Sequence, residues 1–385
     1  ENKPIQKVAI IGWYGTETLG DKAILAGIIL NLQEDGLALE DITLVSLRPH
    51  YSKLTLIELG LEKVNLKDAY ELKNNPDVLR EYDLYIFGGG PLCDVEELID
   101  MMTIFSNAKK LGKMTMIYGC GIGPLNNPRY QEALRRLLRM TDRACFRDRL
   151  SLVKYQTVIQ ELQQYDRNHC FIDPATNYLR KFSNRTDLPL LQGEYVLFSF
   201  RKWPEMYADG LTSEEFCDKN EKFEEQMIRV IEEVISQGNR AVLMPMHNFF
   251  VGDDDREYYL SIVNKFKNRG KITIISHDYT PEESINYFRH AKYAICMRFH
   301  SVVFSVCCNT PCVAIDYHYG RGKVSGFMEM LGLESHLFDF DRWIRSDPKE
   351  IVRFAQNSSI DWKKVNKIID QQNEAMKNFM KIRAS

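Results

Sequence analysis

The stretch VAIIGWYGTETLGDKAILAGIILNL, residues 8–32, decides the fold of this protein. It opens with the apolar run Val8–Ile11, continues through a loop with three glycines, and ends in an apolar segment of helical length. The helix is expected to run from about residue 21 to residue 32. A buried strand, a glycine-rich loop and a helix in this order form the first part of a βαβ unit. The stretch therefore predicts an α/β protein with a mainly parallel sheet.

The same alternation of short apolar runs and helical segments continues along the chain. Polar residues 183–193 interrupt it once and are predicted to be a linker. Two consecutive doubly wound, Rossmann-like domains, residues 1–185 and 186–385, are the simplest account, and the amphipathic segment 361–382 is expected to cross back to the first. Because ligands of open α/β sheets bind at the carboxyl ends of the strands, an interdomain cleft is expected. The predicted strands are residues 8–11, 43–46, 84–87, 114–118, 144–146, 170–172, 195–200, 241–244, 272–276, 293–297 and 312–315.

The composition excludes several classes of protein. The 385 residues carry a formal charge of −3, and their 44% hydrophobic and 27% charged residues are typical of a soluble globular protein. No strongly basic segment indicates a nucleic-acid partner, and no apolar run reaches the roughly 18 residues of a membrane span. Nine cysteines without a CxxC pair predict buried, reduced thiols in a cytoplasmic protein. Because the sequence opens on Glu1, an anchor ahead of it and a location at the inner face of the membrane are kept as alternatives.

Three glycine-rich loops of the first half follow predicted strands. The first does not match the dinucleotide pattern GxGxxG, so NAD binding is not expected, and Asp21 is predicted to cap the next helix. The second loop leads to Asp94, which could also be a helix cap. Glycines in such loops let a ligand or another loop approach the backbone closely. The candidate glycines of the second and third loops are Gly88, Gly89, Gly90, Gly121 and Gly123.

Several other loops carry charged residues for which a structural role is favoured. Arg147 and Arg149 could clamp an anion, but structural pairing of Arg147 and Asp148 between elements is favoured, and Asp173 is predicted to begin a turn. His247 and the three consecutive aspartates ending at Asp255 suggest a metal site. Asp255 is better explained as a helix cap, and nothing fixes a ligand geometry, so no metal is predicted.

The segment Met297-Arg298-Phe299-His300-Ser301 is the strongest candidate site. A predicted strand ends at Met297 and a helix begins near His300, so free backbone amides and the positive end of a helix dipole are available. Arg298 adds a permanent charge, and His300 can donate or accept a proton. Arg201 and Lys323, which follow other strands of the second half, would add two cations. This pattern predicts a binding site for a small anion such as a phosphate.

The loop sequences are weak signals one by one and a specific set when taken in order. They resemble the polysaccharide pyruvyl transferases, which carry a Gly-Gly-Gly loop ending in Asp, a Gly-x-Gly-Ile-Gly-Pro loop and an Arg-x-His segment followed by a Lys-Val loop. The matching segments of this sequence are residues 20–25, 88–94, 119–124, 147–151, 173–175, 245–247, 298–301 and 323–324.

The resemblance implies a glycosyltransferase-B-like (GT-B-like) fold and phosphoenolpyruvate as the donor of a pyruvyl group. It implies a sugar acceptor in a cell-surface polysaccharide or its lipid-linked precursor, and neither a cofactor nor a metal. Carried over position by position, Arg201, Arg298 and His300 would bind the donor, with Lys323 as a helper. His300 would also be the candidate acid of a ketal-forming transfer.

On the acceptor side, Asp94 or Asp21 would be the base for a sugar hydroxyl, and the five glycines named above would form the acceptor loops. The sequence departs from the family at residues 16–19, which lengthen the first loop, and at residues 317–319, where Tyr and His replace the usual hydrophobic residue. Peripheral association with a membrane is kept open. Two alternatives share the fold: a nucleotide-sugar glycosyltransferase and a non-catalytic sugar-binding protein. The first lacks a clear ribose-binding acid, and the retained cations argue against the second.

Overall fold

The computed structural model describes residues 5–165, 167–185, 187–249 and 252–381. The chain divides into two compact units: unit 1 is Glu1–Tyr178 with Ile369–Ser385, and unit 2 is Leu179–Ile368. The division therefore falls inside the helix Ala175–Ser183, ahead of the predicted one between residues 185 and 186. Of the predicted domain limits, Glu1, Thr186 and Ser385 lie outside the described residues.

Unit 1 contains a sheet of seven strands in the order β3-β2-β1-β4-β6-β5, with β7 also paired to β6. Every pairing in it is parallel. The strands are β1 Val8–Ile11, β2 Ile42–Ser46, β3 Asn65–Asp68, β4 Leu84–Gly88, β5 Pro91–Leu92, β6 Met114–Ile122 and β7 Arg143–Phe146. The helices are α1 Leu19–Glu34, α2 Pro49–Glu58, α3 Ala69–Asn74, α4 Glu96–Lys110, α5 Pro128–Arg139, α6 Arg149–Gln156 and α7 Ala175–Ser183, with 3-10 turns at Leu39–Asp41, Pro76–Glu81, Gln160–Gln164 and Arg167–His169.

Unit 2 contains a parallel sheet of six strands in the order β10-β9-β8-β11-β12-β13. The strands are β8 Tyr195–Ser199, β9 Arg240–Leu243, β10 Ile272–Ile274, β11 Ala294–Cys296, β12 Cys312–Ile315 and β13 Leu337–Phe338. The helices are α8 Ser213–Ser236, α9 Asp255–Ile262, α10 Pro281–Arg289, α11 Phe299–Cys307, α12 Lys323–Met330, α13 Phe340–Arg345, α14 Pro348–Asn357 and α15 Trp362–Met380, with 3-10 turns at Glu205–Tyr207, Val263–Lys265, Arg269–Lys271 and Glu334–His336.

The last helix, α15, begins in unit 2 and ends in unit 1. Within unit 1, the Tyr118 hydroxyl donates to the carbonyl of Met376 over 3.2 Å, and the guanidinium of Arg143 lies 4.6 Å from the ring centre of Phe379. These contacts attach the end of the chain to β6 and β7.

Both sheets have the strand order of a Rossmann-like, doubly wound domain, which confirms the predicted two-domain α/β fold. In each sheet the second and third strands are added on one side of the first strand. The chain then crosses over, and the fourth strand pairs with the other side of the first. This reversal places β1 beside β4 in unit 1 and β8 beside β11 in unit 2. The loops that follow these adjacent strands are the expected ligand-binding positions of such sheets.

The structure corrects several predicted elements. Residues 170–172 do not form a strand, because Cys170 makes only an isolated bridge to Phe146. Strand β6 does not end at residue 118 but runs to Ile122, with an irregular register between Tyr118 and Cys120. The irregularity falls at Gly119, and both Gly119 and Gly121 lie inside the strand and not in the predicted loop.

Helix α1 begins at Leu19 rather than near residue 21. Its N-cap is Thr18, and the side chains of Thr18 and Asp21 form a capping box. Asp21 therefore closes the first turn of the helix from inside, and its predicted role as the cap is wrong.

Candidate functional site

The two predicted arginines of unit 2 follow adjacent strands. Arg201 comes soon after β8 and Arg298 soon after β11, and Ser199 on β8 is the register partner of Cys296 on β11. The backbone N–H of Met297 donates to the carbonyl of Ser199 over 2.8 Å. Both arginines therefore lie at the point where the strand order of this sheet reverses.

Arg298 is held by Asp255. Its Nε lies 3.1 and 3.2 Å from the two carboxylate oxygens, and its Nη2 also donates to Asp255. Burial by itself lowers the pKa of Arg298, but the charge and the hydrogen bonds of Asp255 outweigh burial and raise that pKa overall. The guanidinium is thus permanently charged although only 13% of the side chain is exposed.

The role predicted for Asp255 was wrong, because the N-cap of α9 is Asp254, whose carboxylate accepts from the backbone N–H of Arg256. Asp255 is fully buried and accepts from the backbone N–H groups of Met246 and His247 at 3.0 and 3.1 Å. A hint existed in the sequence, since only one of three consecutive aspartates can be the cap. Arg298, the partner of Asp255, lies in the loop after a different strand and could not be inferred.

Arg201 has a different environment. Its guanidinium faces the rings of Tyr207 and Tyr317 at 5.9 and 6.0 Å, and the carboxylate of Asp253 lies 3.8 Å from its Nη2. Burial and then the positive charge of Arg298 lower the pKa of Arg201. Two guanidinium groups that repel each other, with one carboxylate bound tightly to only one of them, form a favourable place for an anion.

Lys323 is the first residue of α12 and approaches the same aromatic ring as Arg201. Its Nζ lies 5.5 Å from the ring centre of Tyr317 and 5.6 Å from that of Phe299. We call Arg201, Arg298 and Lys323 the cationic cluster. Its members come from the loops after three neighbouring strands, β8, β11 and β12, and Tyr317 lies against two of them.

Asp316 at the end of β12 fixes the loop that leads to Lys323. Its carboxylate accepts from the backbone N–H groups of His318 and Gly322, at 3.1 and 2.8 Å, and from the N–H and hydroxyl of Ser325. Within this loop, His318 contacts Asp209 at 2.9 Å, and Arg321 pairs with Glu329. Lys323 is therefore presented by a loop with a fixed shape.

His300 is the second residue of α11 and is partly buried. Its ring lies 5.0 Å from that of Phe299 in an edge-on arrangement, so it is adjacent to the ring that Lys323 approaches. The N-cap of α11 is Arg298, whose side chain makes no capping hydrogen bond. The structure thus brings the four predicted donor residues to the carboxyl ends of neighbouring strands in one unit.

In unit 1, the triple-glycine loop packs against the loop after β1. The Tyr14 hydroxyl donates to the carbonyl of Gly88 over 2.6 Å, and the Trp13 indole donates to that of Pro91 over 2.8 Å. A side chain at Gly89 would overlap Tyr14, and one at Gly90 would overlap Trp13. Both glycines have positive φ angles of 100° and 71°. These glycines are required by a contact between two loops.

Gly121 in β6 and Gly123 directly after that strand also make room for neighbouring side chains. A Cβ on Gly121 would crowd the guanidinium of Arg147, and one on Gly123 would overlap Tyr155. Arg147 pairs with Asp173 at 3.0 Å, with both side chains buried, and Asp148 caps α6. Arg147 and Asp148 therefore have structural contacts, as expected, and Gly121 and Gly123 have packing roles.

Asp94 and Asp21, the two candidate bases, differ in the hydrogen bonds that their carboxylates accept. One oxygen of Asp94 accepts from the backbone N–H groups of Asn126 and Asn127 at 2.9 and 3.1 Å. Its other oxygen, Oδ1, is buried and meets no hydrogen-bond donor in the described parts of the chain. Asp94 does not cap α4, whose N-cap is Val95. The Asp21 carboxylate is used in the capping box.

Over the described ranges, no group of three or more His, Cys, Asp or Glu side chains is arranged to hold a metal ion. None of the helices that the structure describes has the length and apolar character needed to cross a bilayer.

Known structures share this fold. A UDP-GlcNAc 2-epimerase from Methanocaldococcus jannaschii aligns with a TM-score of 0.60 and 13% identity, covering 94% of this chain and 95% of that one. A putative UDP-N-acetylglucosamine 2-epimerase from Listeria monocytogenes gives 0.58 and 12%, over 99% and 93%. An α,α-trehalose 6-phosphate synthase from Burkholderia multivorans gives 0.58 and 11%, over 97% and 95%. At these identities the likeness establishes the fold alone, which is of the GT-B type.

The chain belongs to the polysaccharide pyruvyl transferase family, whose family model matches residues 19–319. The match spans both units and confirms the resemblance seen in the loop motifs. Membership makes the protein a transferase of this family. No curated protein sequence matches the chain significantly.

Proposed function

We propose that the protein transfers the pyruvyl group of phosphoenolpyruvate to two hydroxyls of a sugar, forming a pyruvate ketal and releasing phosphate. The sugar would belong to a cell-surface polysaccharide or its lipid-linked precursor. The observation that carries the proposal is the cationic cluster, which gathers at the carboxyl ends of β8, β11 and β12. Family membership supports the reaction class.

The charge of the donor matches the cluster. Phosphoenolpyruvate carries a phosphate of about −1.5 to −2 and a carboxylate. Three cations against the two carboxylates of Asp255 and Asp253 leave a net positive site. Arg201 and Lys323 lie against the same aromatic ring, at 6.0 and 5.5 Å from that of Tyr317, so we expect both cations to bind one small molecule with two anionic groups.

The proposed reaction begins with protonation of C3 of the enol, for which His300 is the candidate acid. The electron-poor centre at C2 then accepts the first sugar hydroxyl, which loses its proton. Phosphate leaves with the C–O bonding electrons, and the second hydroxyl closes the ketal ring and loses its proton. The cationic cluster would stabilise the departing phosphate, so the scheme needs neither a cofactor nor a metal.

On the acceptor side, we propose Asp94 rather than Asp21 as the base for the sugar hydroxyl. Asp94 has a buried carboxylate oxygen without a donor in the described residues, whereas Asp21 is engaged in the capping box. A lipid-linked acceptor would bring the protein to the inner face of a membrane. A cytoplasmic location is supported by the nine cysteines, which form no disulfide and of which all but Cys217 are buried.

Calorimetry with phosphoenolpyruvate and with a panel of nucleotide sugars tests the donor. We expect phosphoenolpyruvate to bind and the nucleotide sugars not to compete with it. A transfer assay with candidate glycosides should then release one phosphate for each ketal formed. Binding of a nucleotide sugar without phosphoenolpyruvate binding would favour a glycosyltransferase, and binding of free sugars alone would favour a non-catalytic protein; either result overturns the proposal.

A further inference from the structure

We propose that Asp255 is a positioning residue of the donor site, and that it decides which edge of the Arg298 guanidinium meets the donor anion. The proposal rests on the function proposed above, because the anion in question is phosphoenolpyruvate. Asp255 does not touch the donor in this scheme and acts through Arg298.

The carboxylate of Asp255 is fixed from two directions. On one side, its Oδ2 accepts from the backbone N–H groups of Met246 and His247 in the loop after β9. Its own backbone N–H donates to the carbonyl of His247 over 2.9 Å. On the other side it binds Arg298, from the loop after β11. Because β8 lies between β9 and β11, this ion pair connects the loops on both sides of the strand that leads to Arg201.

Asp255 occupies one edge of the Arg298 guanidinium. Nε and Nη2 donate to Asp255, and Nη2 also reaches the carbonyl of Asp253 at 3.5 Å. Nη1 makes no hydrogen bond within the part of the chain that the structure describes. A guanidinium has five N–H groups, so the two on Nη1 are those that Arg298 can offer to a ligand.

Arg201 offers a different edge. Its Nε donates to the carbonyl of Lys202 over 3.3 Å, and neither terminal nitrogen hydrogen-bonds to the residues described. The carboxylate of Asp253, at 3.8 Å from Nη2, lies beyond hydrogen-bond distance. Arg201 can therefore grip a carboxylate or phosphate with two parallel bonds, while Arg298 supplies a contact through Nη1 alone.

Charge neutralisation and positioning, the two possible roles of Asp255, predict opposite changes in the affinity for phosphoenolpyruvate when the carboxylate is replaced. If Asp255 only neutralised charge, Asp255→Asn would make the cluster more positive and phosphoenolpyruvate would bind more tightly. If Asp255 positions Arg298, the substitution weakens binding, because an amide has one acceptor oxygen to share between two backbone N–H groups and a guanidinium.

Calorimetry with phosphoenolpyruvate measures that sign. We expect Asp255→Asn to bind about tenfold more weakly, the loss expected for one charge-assisted hydrogen bond. In the transfer assay, KM for phosphoenolpyruvate should rise more than kcat falls. Asp254→Asn is the matched control, since it removes the same charge one residue away, where Asp254 pairs with Arg256 at 2.7 Å; its donor affinity should not change.

Unchanged or tighter binding by folded Asp255→Asn overturns the proposal. If circular dichroism shows that this variant does not fold, Asp255→Glu replaces it, because it keeps the charge and moves the carboxylate by one methylene; weaker binding is expected, and unaltered affinity contradicts positioning. If the unsubstituted protein does not bind phosphoenolpyruvate, the proposed function fails first, so the two failures are distinguishable.

Discussion

Trp203 donates its indole N–H to the carbonyl oxygen of Tyr317 over 2.7 Å, and both residues are buried. The bond joins the loop after β8, which holds Arg201, to the loop after β12, which leads to Lys323. The Trp203 ring also stacks on Phe340, with ring centres 4.0 Å apart. The spacing of two members of the cationic cluster therefore depends on a hydrogen bond between residues that are distant in sequence.

Trp203→Phe should weaken phosphoenolpyruvate binding and lower the free energy of unfolding by about 1–3 kcal/mol. The reason is that the buried carbonyl of Tyr317 loses its donor. Trp343→Phe is the matched control, because Trp343 is also fully buried but its indole nitrogen finds no hydrogen-bond partner among the described residues. Urea unfolding and calorimetry measure both effects. Equal losses of donor affinity in the two variants would show that only packing is involved.

Arg201→Met should abolish detectable donor binding without lowering stability. Burial and the charge of Arg298 lower the pKa of Arg201, which means that the folded protein disfavours this charge. Its removal should therefore leave the melting temperature unchanged or raise it. Lys202→Met, at the next and exposed position, is the control for loss of one cation. A lower melting temperature in Arg201→Met would contradict the view that this residue is kept for binding.

His300→Ala should abolish transfer while donor affinity falls by no more than about tenfold, because the cationic cluster remains. His300→Asn separates the two roles of the imidazole. The amide can still donate a hydrogen bond to phosphate but cannot supply a proton, so we expect this variant to be as inactive as His300→Ala. Substantial turnover in His300→Asn would make the residue a phosphate ligand and not the acid.

Asp94→Asn should lower kcat by about a hundredfold or more and leave donor affinity unchanged. The amide oxygen can still accept from Asn126 and Asn127, so the loop should keep its shape. Asp21→Asn is the comparison, since it should mainly weaken the capping box and cost about 1 kcal/mol of stability. A transfer assay with saturating donor distinguishes them. Near-normal turnover in Asp94→Asn would remove it as the base.

Glu17 makes stability depend on pH. The residue is 2% exposed, and burial raises the pKa of its carboxyl, although the hydroxyl of Ser52 donates to it. A carboxyl whose pKa is higher in the folded state stabilises the protein below its unfolded pKa of about 4.3, and this contribution is lost as the pH rises through the folded value.

Glu17→Gln should therefore match the original protein in stability near pH 4 and exceed it at neutral pH, because the amide is never ionised. Urea unfolding of both proteins at several pH values measures the difference, and other carboxyl groups cancel in the comparison. A difference in unfolding free energy that stays constant with pH would show that Glu17 does not titrate in this way.

The sequence by itself determined the fold class and the strand ends at which the cationic side chains lie. Alternating apolar runs and helical segments require buried parallel strands, and side chains that directly follow such strands gather at one edge of the sheet. For this reason Arg201, Arg298, His300 and Lys323 could be placed before the structure was known. Their positions depend on local strand ends.

Only the tertiary structure decided which side chains meet. Arg298 pairs with Asp255 and Arg147 with Asp173, whereas the sequence suggested a helix cap for Asp255 and a turn for Asp173. Strand order determines which loops are adjacent, and this order results from packing of the whole sheet. The local sequence does not show that Asp255 and Arg298 meet, because β8 lies between the strands that their loops follow. The cationic side chains at the strand ends could therefore be predicted from the sequence, while the carboxylates that pair with Arg298 and Arg147 could not.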